Sequence, residues 1–109
     1  MDTPFFSPCS MTRMIAGGAQ LTLFAMGVFN PSGNPLAPTI KVCGNPATLA
    51  RWGDGIDVGL AELIDARIHL DEAGVRVHDA VIRVASGETT HTERWGEGQF
   101  IIPRLTATF

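Results

Sequence analysis

The chain has 109 residues, 45% of them hydrophobic and 17% charged, which suits one compact domain or a piece of one and makes two domains too many. Eight Lys plus Arg against eleven Asp plus Glu leave a formal net charge of -3, and Lys41, the only lysine, has no basic neighbours, so the basic footprint of a nucleic-acid binder is missing. No charge occurs from Met14 to Ile40, yet glycines and prolines cut that stretch, and its longest apolar run, residues 21–29, is shorter than the ~20 residues a membrane span needs.

Ser7-Pro8 reads as a helix N-cap followed by proline at the first helical position, and Gly17-Gly18 supplies a stop, which predicts a short helix over residues 8–16. Residues 21–26, nearly all apolar and ending at Gly27, read as a strand buried on both faces. A helix, a tight turn and a buried strand point to a parallel sheet of βα units, a Rossmann-like layered α/β fold. Residues 28–38 are rich in turn formers, Asn30-Pro31-Ser32-Gly33-Asn34-Pro35 among them, and residues 39–43 read as a second strand.

Asn45-Pro46 repeats the cap-then-proline signal for a helix ending near Gly53, and Asp57 is placed to cap another over residues 58–66. The clearest periodicity follows. Leu70, Ala73, Val77, Val81 and Val84 share one helical stripe, opposite His69, Glu72, Arg76, Asp79 and Arg83. Asp71 reads as the N-cap of this helix, Leu70 and Val75 as a hydrophobic staple and Gly87 as its C-terminal glycine. Thr90 and Glu93 have capping-box spacing for one more short helix closing near Gly96, and residues 100–102 read as a last strand before Pro103. A single domain, residues 1–109, is expected.

Met1-Asp2 lacks a basic leader and no small-residue cleavage site follows an apolar run, so a cytoplasmic location is expected. Cys9 and Cys43 belong to no CxxC or Cys/His pattern and are expected to be reduced, partly buried thiols. His69, His78 and His91 match no HxxxH ligand pair and read as surface or capping residues. No nucleophile elbow, Walker loop, GxGxxG or EF-hand pattern is present.

Open α/β sheets bind ligands outside the carboxyl ends of their strands, where backbone amides and short polar side chains converge. The segment from Gly27 to Pro38 is such a junction. There Asn30 and Ser32 could hydrogen-bond a hydroxylated or carboxylated ligand and Lys41 could neutralise an anion; equally, Asn30, Ser32 and Asn34 could simply make turns and Lys41 a structural ion pair. Asp2-Thr3, just before Pro4, suits a loop tip and also a carboxylate acting as base or ligand.

Several strings resemble the C-terminal region of the altronate and galactarate dehydratases: Met1-Asp2-Thr3-Pro4, Ala16-Gly17-Gly18-Ala19 before an apolar strand, Pro38-Thr39-Ile40-Lys41-Val42, Gly44-Asn45-Pro46 and Ile56-Asp57-Val58. Ala85-Ser86-Gly87-Glu88, the Thr90–Glu93 spacing and the ending Ile102-Pro103-Arg104 with Phe109 extend it, in the right order, over nearly the whole chain. The resemblance implies a hydro-lyase that dehydrates a sugar acid such as altronate or galactarate, or a related 2-hydroxy acid, to a 2-keto-3-deoxy product. Sulfolactate sulfo-lyases of the same superfamily expel sulfite instead. It also implies a divalent metal, often iron, whose Lewis acidity stabilises the enediolate formed on loss of the proton next to the carboxylate.

Two departures from the family pattern bear on function. Where the family typically reads Thr-Thr-Gly-Arg-Gly-Ser/Thr, this chain has Ala25-Met26-Gly27-Val28-Phe29-Asn30, so an aliphatic side chain replaces a carboxylate-clamping guanidinium and a smaller or less polar 2-hydroxy acid fits better. Family enzymes also continue upstream, so the chain is expected to be a C-terminal piece, inactive alone, with metal ligands in the remainder of the parent enzyme. The substrate-contacting residues expected here are Asp2, Thr3, Gly27, Asn30, Ser32 and Lys41. The strand at residues 21–26 is expected to expose an edge and to favour a homo-oligomer, with no nucleic-acid or membrane partner. The rival expectation is a noncatalytic module that stabilises an oligomer or binds a metabolite.

Overall fold

In the computed structural model, which describes residues 6–102, three parallel strands form a sheet flanked by helices on both faces. Helix α1 (Ser7–Ala16) leads through a turn with Gly18 at φ +104° to strand β1 (Thr22–Met26). A hydrogen-bonded loop, residues 27–38, carries the chain back to β2 (Thr39–Cys43), then α2 (Pro46–Trp52) and a 3-10 turn (Gly53–Gly55) return it to β3 (Val58–Gly59). α3 (Ala61–Ile64), α4 (Leu70–Ala85) and α5 (His91–Arg94) complete the described chain.

The sheet order is β1-β2-β3, with Leu23 beside Ile40, Ala25 beside Val42 and Val42 beside Val58. This is the parallel α/β layering expected from the sequence, and the crossover through α2 explains its direction, because parallel neighbours cannot be joined by a tight hairpin.

Helix α4 covers one face. Ile40, Val58, Leu60, Ala73 and Ala80 are buried together there, with Leu21, Val42, Leu63, Ile68, Val77, Val81 and Val84 packed around them. The small Ala73 and Ala80 let the helix approach the sheet, so the apolar stripe read from the sequence is indeed the buried one, except for Leu70. On the other face, Thr39 and Lys41 are fully buried beneath α1, the 27–38 loop and α5. Cys9 and Cys43 are buried free thiols on this framework.

Several local expectations are corrected. β1 is not buried on both faces: Leu23 is 51% exposed and Ala25 is exposed, because α4 lies over β2 and β3 and stops short of β1. Ser7 is the first residue of α1 rather than its cap; Phe6, at φ 107°, occupies that position without a side-chain bond. Asp57 caps no helix, since Val58 and Gly59 continue as β3 and the following helix is only the short α3. His69, not Asp71, caps α4, its Nδ1 accepting from the Asp71 amide at 3.4 Å, and Leu70 and Val75 are exposed, so no staple forms. Residues 100–102 form no strand.

Three other terminal signals hold as read. Asn45 Oδ1 accepts from the amides of Ala47 and Thr48 at the start of α2. Thr90 and Glu93 form a reciprocal capping box on α5, and Gly87 takes φ +105° after α4, where a side chain would be strained.

Candidate active-site cleft and the loop beside it

At the carboxyl ends of β1 and β2 lies an open cleft of about 430 Å³, lined by Met26, Gly27, Gly44, Asn45, Pro46 and Ile64. This is the position at which open parallel sheets present ligands. Its walls are mainly apolar, and its shape depends on two glycines. A Cβ on Gly44 would stand 3.1 Å from the Ile64 side chain, so the bare backbone there admits Ile64 to the cleft. Gly27 offers its backbone at the end of β1, and its carbonyl is fixed by two donors, Asn45 Nδ2 at 2.9 Å and Thr48 Oγ1 at 2.7 Å. Asn45 therefore caps α2 with its oxygen and clamps the β1 turn with its nitrogen.

Beside the cleft, the 27–38 loop is tied down at three points. The Lys41 ammonium, buried in the middle of β2, donates to the backbone carbonyls of Asn30, at 2.6 Å, and Ser32, and lies 4.6 Å from the centre of the Phe24 ring. Burial pushes its pKa down from 10.5 to about 8, against the pull of Asp57 and Glu97 toward the charged form. Asn30 Oδ1 accepts from the Ser32 amide and Asn34 Oδ1 from the Leu36 amide, two Asx turns that shape the loop from within. Phe29 stacks on Trp52 with centroids 5.0 Å apart and meets the edge of Trp95 at 6.2 Å. Gly55 makes this possible, because a Cβ there would come within 2.5 Å of Trp95 and 2.7 Å of Phe29.

Asp57 joins the loop's support to α5. One carboxylate oxygen accepts from the Lys41 amide at 2.8 Å; the other lies 2.9 Å from the His91 amide, which donates to it, and 2.8 Å from His91 Nδ1. The carboxylate is thus a latch between β2 and the start of α5, and its side chain is 11% exposed. Sequence reading placed Asp57 as a local cap because partners 16 and 34 residues away leave no local signal.

Of the residues singled out from the sequence, Gly27 lies in the cleft, whereas Asn30, Ser32 and Lys41 form a separate knot beneath the adjoining loop. Asp2 and Thr3 lie outside the described residues. Asn45 and Ile64 were not singled out for ligand contact; the cap motif gave Asn45 a structural role, and Ile64 reaches the cleft only through tertiary packing. Among the described residues no three His, Cys, Asp or Glu side chains gather to hold a metal ion, and Asp57 already accepts from amide donors, so these residues do not fit the metal implied by the resemblance. No described helix is long and apolar enough to cross a membrane.

Comparison with known proteins yields two findings. Residues 1–108 match the family described as D-galactarate/altronate dehydratase, C-terminal. Over 105 residues, 96% of this chain, the sequence is 33% identical to the (2R)-sulfolactate sulfo-lyase subunit beta of Chromohalobacter salexigens. The matched part is 27% of that subunit, so the chain spans about a quarter of the relative's length.

Proposed function

The chain belongs to the D-galactarate/altronate dehydratase C-terminal family, and on that premise we propose that it is the C-terminal domain of a lyase acting on a sugar acid or a related 2-hydroxy acid. The reaction we assign is loss of water between C2 and C3, giving a 2-keto-3-deoxy acid. The observation that carries this reading is the cleft where Gly27, at the end of β1, faces Asn45, with the Gly27 carbonyl held by Asn45 and Thr48. A backbone wall fixed by two donors is preorganised for a small ligand, since little freedom is left to lose on binding.

In this proposal Gly27 borders the acid, while Lys41, through the carbonyls of Asn30 and Ser32, holds the loop that carries it. Val28, 80% exposed next to Gly27, brings an aliphatic group where a guanidinium would pair with a second carboxylate. Together with Met26, Pro46 and Ile64 it favours a monocarboxylate over an aldarate. Proton removal, the metal and its ligands belong to the remainder of the lyase, and Asp2 and Thr3 are assigned substrate contact from the sequence alone.

Titration of the 15N-labelled chain with galactarate, altronate, sulfolactate and lactate tests the reading. Shifts centred on Gly27, Val28, Gly44 and Asn45, stronger with monocarboxylates, are expected. No movement of these amides with any of the acids at millimolar concentration overturns it.

A further inference from the structure

We propose that the outer edge of β1 pairs with the β1 edge of a second copy of this chain, antiparallel about a twofold axis at Phe24, joining two three-stranded sheets into one of six. The inference stands on the edge itself and does not require the lyase reading. The Thr22 amide donates to Pro38, toward β2, and backbone groups alternate sides along a strand. Those of Leu23 and Ala25 therefore point away from the sheet, and no hydrogen bond reaches them among the described residues.

Among the described residues nothing guards this edge. Natural edge strands are blunted by lysine, proline, bulges or inward charges. Residues 22–26 contain none of these, and the nearest charges along the chain are Arg13 and Lys41, the latter buried on the inner strand. Nor is the edge covered from the side, for Leu23 and Ala25 share a face with Ile40 and Val42 but emerge from under α4.

The segment suits itself as partner. Centred on Phe24, the pairing sets Leu23 against the second copy's Ala25 and Ala25 against its Leu23. Both are hydrogen-bonded pairs, because these are the residues whose N–H and C=O point outward. Phe24 meets its own counterpart as the close, non-hydrogen-bonded pair, the site at which cross-strand aromatics are in best contact. No like charges are opposed. Five residues bury less than the roughly 1,200 Å² of a stable interface, so the dimer is weak and concentration-dependent.

Sedimentation of the full chain from about 10 μM to 1 mM should show a monomer–dimer equilibrium, and the Leu23 and Ala25 amides should gain protection from hydrogen exchange as the dimer fills. Leu23→Lys adds a charge at an exposed site and should weaken dimerisation at least about tenfold. Ala25→Pro removes an outward N–H without touching the β2 ladder and should abolish it, with the monomer's helical circular dichroism retained in both variants. A chain that stays monomeric throughout overturns the proposal, as does a dimer indifferent to both substitutions. Protection of these two amides in the monomer also overturns it, since another segment of the same chain would then hold the edge.

Discussion

Ile40 and Lys41 are consecutive in β2, both fully buried, and they face opposite sides of the sheet into different physical surroundings. Ile40 is packed among Val58, Leu60, Ala73 and Ala80 beneath α4, where contact is apolar and non-directional. Lys41 faces carbonyls, Asx turns, and the Asp57 latch, with buried Thr39, Thr90 and Thr92 close by in a hydrogen-bonded layer. The difference teaches that the α4 side tolerates exchange of one hydrocarbon for another, whereas the loop side depends on particular atoms meeting particular partners.

The largest effect is expected at Asp57, although removing it uncovers almost no apolar surface. Asp57→Ala strands the Lys41 and His91 amides and should cost about 4 kcal/mol in urea unfolding, while Asp57→Asn, which keeps an acceptor, should cost about half as much. Ile40→Ala should follow at about 3 kcal/mol, the transfer and cavity cost of a buried aliphatic side chain. If Ile40→Ala proves the more damaging by a wide margin, the contrast between the two layers collapses.

A pH series sharpens the comparison at Lys41. Its pKa in the folded chain, about 8, lies below the unfolded value of 10.5, so over that window the unfolded state holds the more protons and stability rises with pH. Wild type relative to Lys41→Met should gain on the order of 2 kcal/mol between pH 8 and pH 10.5. The smallest effect is expected at Leu70, which the helical stripe assigns to the core but which is 68% exposed. Leu70→Ala should change stability by less than about 0.5 kcal/mol.

These contrasts also mark what was legible in the sequence. Helix stops at Gly18 and Gly87, the Asn45 cap and the Thr90–Glu93 box are decided within a few residues, and each took the form its spacing implies. The apolar run of β1 was misread as doubly buried because composition does not say whether a helix from elsewhere in the chain reaches over that strand; α4 does not. Of the junction read from the sequence, Gly27 to Pro38, only Gly27 at the end of β1 lines the cleft. Its far wall, Ile64, and the bracing of the loop from below by Lys41 depend on contacts between elements distant in sequence, which leave no periodic trace.

The aromatic pin around Gly55 gives the molecule a built-in optical gauge. The chain has two tryptophans and no tyrosine, and both indoles flank Phe29 at the root of the loop. Intrinsic emission therefore reports the seating of that loop, while far-ultraviolet dichroism is weighted toward α4, the longest helix described. A thermal scan followed by both signals separates the release of one layer from the melting of the other, with no added dye.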